Sequence, residues 1–431
     1  MLCAIVPIAQ SGPGSAAMNH TLSSPHSMRS ATRQRGQIAP VALFGVLIAS
    51  ATLVMMYNTG QKVTEKSQVA NAADAAAYSG AVWTARHLNF MAYTNRAMIA
   101  NHAAVGHFVS YVSWIRYIDD TIDSIDTITQ FIPYVGQYVD IVQAIAQQVR
   151  EGTEQSAQIA VPTIDGWNSN FRAAQIEAQA SLALANLNDL MEQTAREWDP
   201  QIRINDRDAM NAMPSALRTA IDAQLIAQLA NVPTFVKRYT ASSDRGAVQE
   251  LIRASLTANN DMKRWISGER GWRENLVLAQ IRKRGSTTTT QNEIGADWRA
   301  QDDLQYRTPG VFSWHSWRRI GNTTSRASAT EFDSDYAGVP SYYNVAGTPG
   351  DRSLRIAAIA TKAQTQVSTR ANFGMDANAQ PLAVAAMARV DFRRPSGSAF
   401  AALGSNAHEY ANLFNPFWDA RLVAVDTGSG T

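Results

Sequence analysis

Few residues of this chain have the type and spacing that chemistry requires. His102 and His107 stand five apart, which offsets them by about 140° around a helix, so a shared metal is not expected. Asp333 and Asp335 in FDSDYAG open like a calcium loop, but Ala337 holds its fifth position and Asn344 its twelfth, leaving no carboxylate anchor. The carboxylates of Asp120, Asp123 and Asp126 in DDTIDSID progress around one side of a helix and read as a solvated face rather than a cation site. Trp314–Arg319, WHSWRR, reads as a packing corner with cation–π contacts, with a sugar or anion site as its alternative. Arg282, Lys283 and Arg284 fall at the end of an expected helix, where the macrodipole favours cations without any ligand. HExxH, CxxC, Walker and GxSxG signatures are missing, so no catalytic residue, cofactor or metal ligand is assigned and an enzyme is not expected. A net charge of +2 gives no sign of a nucleic-acid surface.

The sharpest site candidate is a contact seam. Asn95 and His102, seven apart, share a helical face with Leu88, Met91 and Met98. Polar groups in such a seam fix register with a partner helix, at some cost in stability. That partner is either another part of this chain or another protein. Asn71, Asp74, Asn89, Arg96 and Asn101 add further polar positions, for which a solvated face is the simpler account.

The element that must carry this seam begins at Ile38–Tyr57, IAPVALFGVLIASATLVMMY, which contains no charge. As a helix it reaches roughly 30 Å, the thickness of a bilayer's hydrocarbon core. Pro40 sits in the first turn, where its missing N–H is no loss. Gly45 and Ala49 form a small-xxx-small pair suited to helix packing. Residues 1–37 have no Asp or Glu, and Arg29, Arg33 and Arg35 crowd the entry to the span, so the N-terminus is expected inside and the remainder exported. A cleaved signal peptide is the rival reading; the apolar run is long for one, and no A-x-A site closes it. Residues 1–27 lack periodicity, and translation from Met28 would leave a compact basic leader, MRSATRQRG. The single cysteine, Cys3, lies before the span, so the exported part must be held by packing rather than disulfides.

Beyond the span the alanine-rich NAADAAAYSGA and the spacing of Leu88, Met91, Ala92, Met98, Ile99, Val105, Phe108, Val109 and Val112 predict one long helix to about Tyr117. Pro133 and Gly136 break the next element, a polar break is expected at Glu151–Gln158, and Pro162 and Gly166 mark a further boundary. Ala173–Trp198 reads as a helix ended by Pro200. Pro214 opens another helix that Pro233 closes, and residues 246–284 read as two more. From Gly285 the composition turns to loops and short strands, with Arg355–Thr361 and Ala383–Phe392 as the best strand candidates.

Arg35 to Ala81, RGQIAPVALFGVLIASATLVMMYNTGQKVTEKSQVANAADAAAYSGA, resembles the N-terminal region of TadG-like Flp/Tad pilus-assembly proteins: Arg-Gly before an anchor, a charged segment, then Asn71–Ala77. Leu88–His102, LNFMAYTNRAMIANH, and Leu413–Leu422, LFNPFWDARL, look like a proteobacterial branch of the same family. The D-x-S-x-S of relatives with a von Willebrand A-type domain does not occur, so adhesion of that kind is not implied. Val41 stands where pilin-like relatives processed by prepilin peptidase carry Glu five residues after glycine, here Gly36, so that processing is not implied either. The resemblance implies a place in a pilus or secretion apparatus among other pilus-assembly proteins, and not a reaction.

The expected architecture is α+β and predominantly helical. A basic cytoplasmic tail (1–37) precedes a single transmembrane helix (38–57) in a bacterial inner membrane. An exported helical region (58–284) and a smaller mixed strand and loop region (285–431) follow in the periplasm or beyond. The expected function is structural, in pilus assembly. A single-span sensor with an exported ligand-binding domain and an anchored periplasmic enzyme are the alternatives.

Overall fold

The computed structural model describes residues 38–129, 136–182, 184–206, 235, 270–276, 279–289, 297–320, 323–338, 353–363, 382–393 and 411–425. The expected basic tail, the Pro214–Pro233 helix and the first of the two helices expected in 246–284 lie outside them. The chain divides into two compact units, Met1–Tyr57 and Asn58–Thr431. Helix α1, Ile38–Thr129, runs 92 residues without interruption. The architecture is mixed and helix-dominated, with the strands gathered towards the C-terminus, as the sequence predicts.

In the first unit the described residues are the opening turns of α1. Their apolar side chains are exposed: Val41, Leu43, Phe44, Val46, Leu47 and Leu53 are all more than half accessible. Ser50 and Thr52 donate their hydroxyls to the carbonyls of Val46 and Ile48 one turn back, at 2.8 and 2.9 Å, which satisfies both within the helix. This stretch is long and apolar enough to cross a membrane.

In the second unit the rest of α1 forms the centre of the core. Ala72, Ala73, Ala76, Ala77 and Ala81 are fully buried, so small side chains allow neighbouring elements to approach this face closely. Helix α2 spans Gly136–Ser181 and α3 Leu184–Arg196. At Gly80 an added Cβ would lie 2.9 Å from the Met191 sulfur of α3, so glycine is what admits that helix.

One four-stranded antiparallel sheet has the order β1 (Arg203–Ile204), β7 (Ser353–Lys362), β8 (Leu382–Phe392), β9 (Trp418–Val423). Both strand candidates of the sequence fall in it, paired from Ser353↔Asp391 to Lys362↔Leu382. A second antiparallel sheet runs β2 (Trp272–Leu276), β3 (Ala279–Thr289), β4 (Trp298–Arg307), β5 (Arg318–Arg319), with β6 (Ser325–Ser328) also on β4. A short helix, α4 (Ala329–Phe332), follows β6.

Three expectations are corrected. The polar run Glu151–Gln158 and the boundary at Pro162 and Gly166 do not interrupt α2, which passes through all of them. Ala157, Val161 and Asn168 are fully buried on either side, and this burial outweighs the roughly 3 kcal/mol that a mid-helix proline costs. The Ala173–Trp198 helix is two helices, meeting near residue 183. The second helix expected in 246–284 is instead the β2–β3 hairpin, because Lys283, Gly285 and Thr287 face inward at every second residue. That alternation is written in polar residues and glycine, where an apolar pattern does not register it. Strand β3 also runs through Gly285, where the composition changes.

Candidate functional site

The chemistry-bearing residues that the fold brings together lie along one face of α1. Leu88, Met91, Asn95, Met98 and His102 are all buried, and the 3–4 spacing continues through Val105, Val109 and Val112. The bonds that Asn95 and His102 make here go to this chain itself, and to loops and a neighbouring helix rather than to a coiled-coil partner.

At Asn95, Nδ2 donates to the Leu413 carbonyl at 2.7 Å and Oδ1 accepts from Gln175 Nε2 of α2 at 2.7 Å. Gln175 also donates to Thr94 Oγ1 at 2.6 Å. Two turns earlier, Asn89 acts like an extra strand residue. Its Nδ2 donates to the Trp418 carbonyl at 2.9 Å, and its Oδ1 accepts the Trp418 N–H at 3.0 Å. The segment so held is pre-shaped: Asn412 Oδ1 accepts from the N–H groups of Phe414 and Asn415, and Trp418 Nε1 donates to the Asn412 carbonyl. Phe392 and Phe235 pack edge-on against Trp418. The stretches Leu88–His102 and Leu413–Leu422, more than three hundred residues apart in sequence, are therefore in direct contact.

Two turns beyond Asn95, His102 is enclosed by aromatic rings. Its Nδ1 lies 2.6 Å from Tyr336 Oη, and the Trp298 indole donates to the His102 carbonyl at 2.7 Å. Burial lowers the His102 pKa to about 3 and pushes the Tyr336 hydroxyl up, so both are neutral across the ordinary pH range. His102 Nε2 is buried without a hydrogen-bond partner, a cost of about 1–3 kcal/mol that the ring packing must offset. Gly106 allows the Trp298 ring in, since a Cβ there would come within 2.8 Å of it.

The next turns meet the second sheet through a buried charge cluster. Asp302 on β4 is inaccessible and receives Lys283 Nζ at 2.7 Å, Arg270 Nη2 at 3.0 Å and Ser113 Oγ of α1 at 2.7 Å. Arg270 also donates to Thr287, which is 2.7 Å from Ser110 Oγ. Lys283 has its pKa lowered by desolvation, with Asp302 acting in the opposite sense, and sits 5.0 Å over the Tyr117 ring. The expected helix-end role of Lys283 is thus replaced by an ion pair in a sheet. No single-residue pattern announces Asp302; the glycine opposite it, Gly285, is the trace, because a Cβ there would fall 2.1 Å from the carboxylate.

Further along, Arg116 bonds Glu154 of α2 and Glu331 of α4, each at 2.6 Å. In the DDTIDSID run, Asp119 is buried and paired with Arg150 at 2.7 Å, and Asp123 accepts from Gln143. Asp120 has its pKa raised by burial, and the side chain of Asp126 lies outside the described residues. Asp333 caps its own turn by accepting the Asp335 N–H. Among the described residues no group of three His, Cys, Asp or Glu is placed to hold a metal. At WHSWRR the guanidinium groups of Arg282, Arg307 and Arg273 lie 4.1, 4.7 and 5.4 Å from the Trp317 ring centre, so the cation–π partners come from β2, β3 and β4, while the segment's own Arg318 and Arg319 are exposed.

What this arrangement does is hold: it fastens α2, both sheets and the C-terminal segment to one helix through bonds that are almost all satisfied. No curated protein and no solved structure matches the chain. The Leu88–His102 and Leu413–Leu422 stretches lie outside the family match at residues 36–83, which covers the apolar span and the first buried turns of α1. Residues 36–83 match the model of the Tad family, described as "Putative Flp pilus-assembly TadE/G-like", and over that segment the chain is similar to those proteins.

Proposed function

We propose that this protein is a membrane-anchored structural component of a Flp/Tad-type pilus or related secretion apparatus. Its anchor is Ile38–Tyr57, with the N-terminus cytoplasmic and the larger unit on the far side of a bacterial inner membrane. It acts by packing and partner contacts, without catalysis of its own. The observation that carries this reading is the match over residues 36–83, which takes in the apolar span and the alanine face that starts the core. In this reading α1 is the common axis. The seam through Leu88, Met91, Asn95, Met98 and His102 keeps the exported part in one shape, and assembly proteins meet that shape.

The test is deletion of the gene in its own host, with surface pilin measured after shearing. Loss of surface pilin is expected, with recovery by the wild-type gene. Val46→Arg, which costs about 2.5–3.5 kcal/mol of insertion at the span's centre, should not restore it. Normal piliation in the deletion strain would reject the proposal.

A further inference from the structure

The hairpin between β4 and β5 has a use that the seam does not explain. Its tip is closed by Gly310 N–H donating to the Ser313 carbonyl at 2.7 Å and by the Pro309–Trp314 bridge. Between these closures Val311 is 90% and Phe312 100% exposed. Two adjacent large apolar side chains held almost wholly exposed at a turn form an apolar projection suited to a covering surface. At the base of the same hairpin stands the arginine cluster. Arg282, Arg307 and Arg273 surround Trp317, and Arg307 also lies 5.2 Å from the Trp314 ring.

None of these three arginines forms an ion pair among the described residues. Arg273 and Arg307 donate to the neutral amide oxygen of Gln280, and Arg282 donates to that of Gln305. The acidic neighbour acting on Arg282 is Asp303, whose carboxylate accepts the Gln305 amide. Desolvation, then the like charges of Arg284, Arg273 and Arg307, hold the Arg282 pKa below its ordinary range. The buried cations Lys283 and Arg270, by contrast, share Asp302. The hairpin therefore presents an apolar tip, a tryptophan shoulder and a cationic base without an ion pair among the described residues, in that order.

We infer that this hairpin docks on an anionic phospholipid surface, Val311 and Phe312 entering the acyl boundary while Arg273, Arg282 and Arg307 meet headgroup phosphates. The order of groups matches the order of a bilayer interface: apolar side chains deepest, Trp314 and Trp317 at headgroup level, guanidinium groups outermost. Each arginine contributes about a five-fold gain on such a surface, and guanidinium forks pair well with phosphate. A soluble anion would use the arginines and leave the tip exposed. An apolar protein groove would use the tip and leave the charges unmet.

The test uses the full chain with its own span held in a nanodisc of neutral phosphatidylcholine. Cys3→Ser removes the single native thiol, and Ser313→Cys at the tip carries an environment-sensitive dye. Vesicles with roughly a third phosphatidylglycerol should blue-shift the dye and co-sediment the protein, and pure phosphatidylcholine vesicles should do neither. Arg273→Gln, Arg282→Gln and Arg307→Gln together should weaken co-sedimentation about a hundred-fold. Phe312→Ser, at a site without packing partners, should remove the blue shift while the fold is kept. No response to anionic vesicles, or an equal response to neutral ones, overturns the inference. Binding of inorganic pyrophosphate or an acidic peptide to the arginines, with no dye response to vesicles, overturns it as well.

Discussion

His102 illustrates how one side chain couples this core to pH. Its folded pKa of about 3 lies below the ordinary value of 6.5, so protonation favours the unfolded chain. The sign follows: its contribution is intact above about pH 6.5 and is lost as pH falls towards 3, at up to about 1.4 kcal/mol per pH unit. Half-buried His107 is shifted in the same direction by desolvation. Glu154 and Asp199 have pKa values below the ordinary carboxylate range, because partner cations outweigh their burial, so their losses come at lower pH. Between pH 7 and 5 the thermal midpoint should therefore fall, and His102→Phe should flatten that slope. An unchanged slope in the variant would show that the ring is not the titrating group.

At the scale of elements, α1 is held by side chains that imitate backbone. Asn89 gives Trp418 both partners of a strand, and Asn95 joins the Leu413 carbonyl to α2. Asn95→Leu leaves that carbonyl without its donor in a buried site, at a cost of about 1–3 kcal/mol. Helix content should persist while the C-terminal segment loosens. In a Cys3→Ser background, a cysteine replacing fully buried Met91 should resist a water-soluble thiol reagent, and adding Asn95→Leu should speed its labelling. Rapid labelling before that change would mean the seam faces solvent. A crosslink from Met91 to a pilus-assembly protein would show that a partner can displace this chain's own segment.

For the whole molecule, the proposal sets an orientation. In that proposal the basic residues before Ile38 keep the N-terminus inside, and the unit from Asn58 onward would be exported. A reporter that works only in the periplasm, fused after Thr431, should be active. Activity of a cytoplasmic reporter at that position would reverse the orientation and with it the proposed site of assembly.

The sequence by itself determined the features that depend on local pattern. These are the apolar span, the alanine-rich continuation of α1, which runs past the expected end near Tyr117 to Thr129, and the strand candidates Arg355–Thr361 and Ala383–Phe392, which fall within Ser353–Lys362 and Leu382–Phe392. Each is written in propensity or periodicity over neighbouring residues. It also singled out Asn95 and His102 as polar residues on an apolar face. Tertiary structure alone decided what those residues meet, because Leu413, Tyr336 and Trp298 lie hundreds of residues away and no spacing encodes the pairing. It decided equally that Pro162 stays within α2 and that the Arg282–Arg284 run is a strand. In both cases long-range burial and ladder pairing outweigh the local preference that a sequence displays.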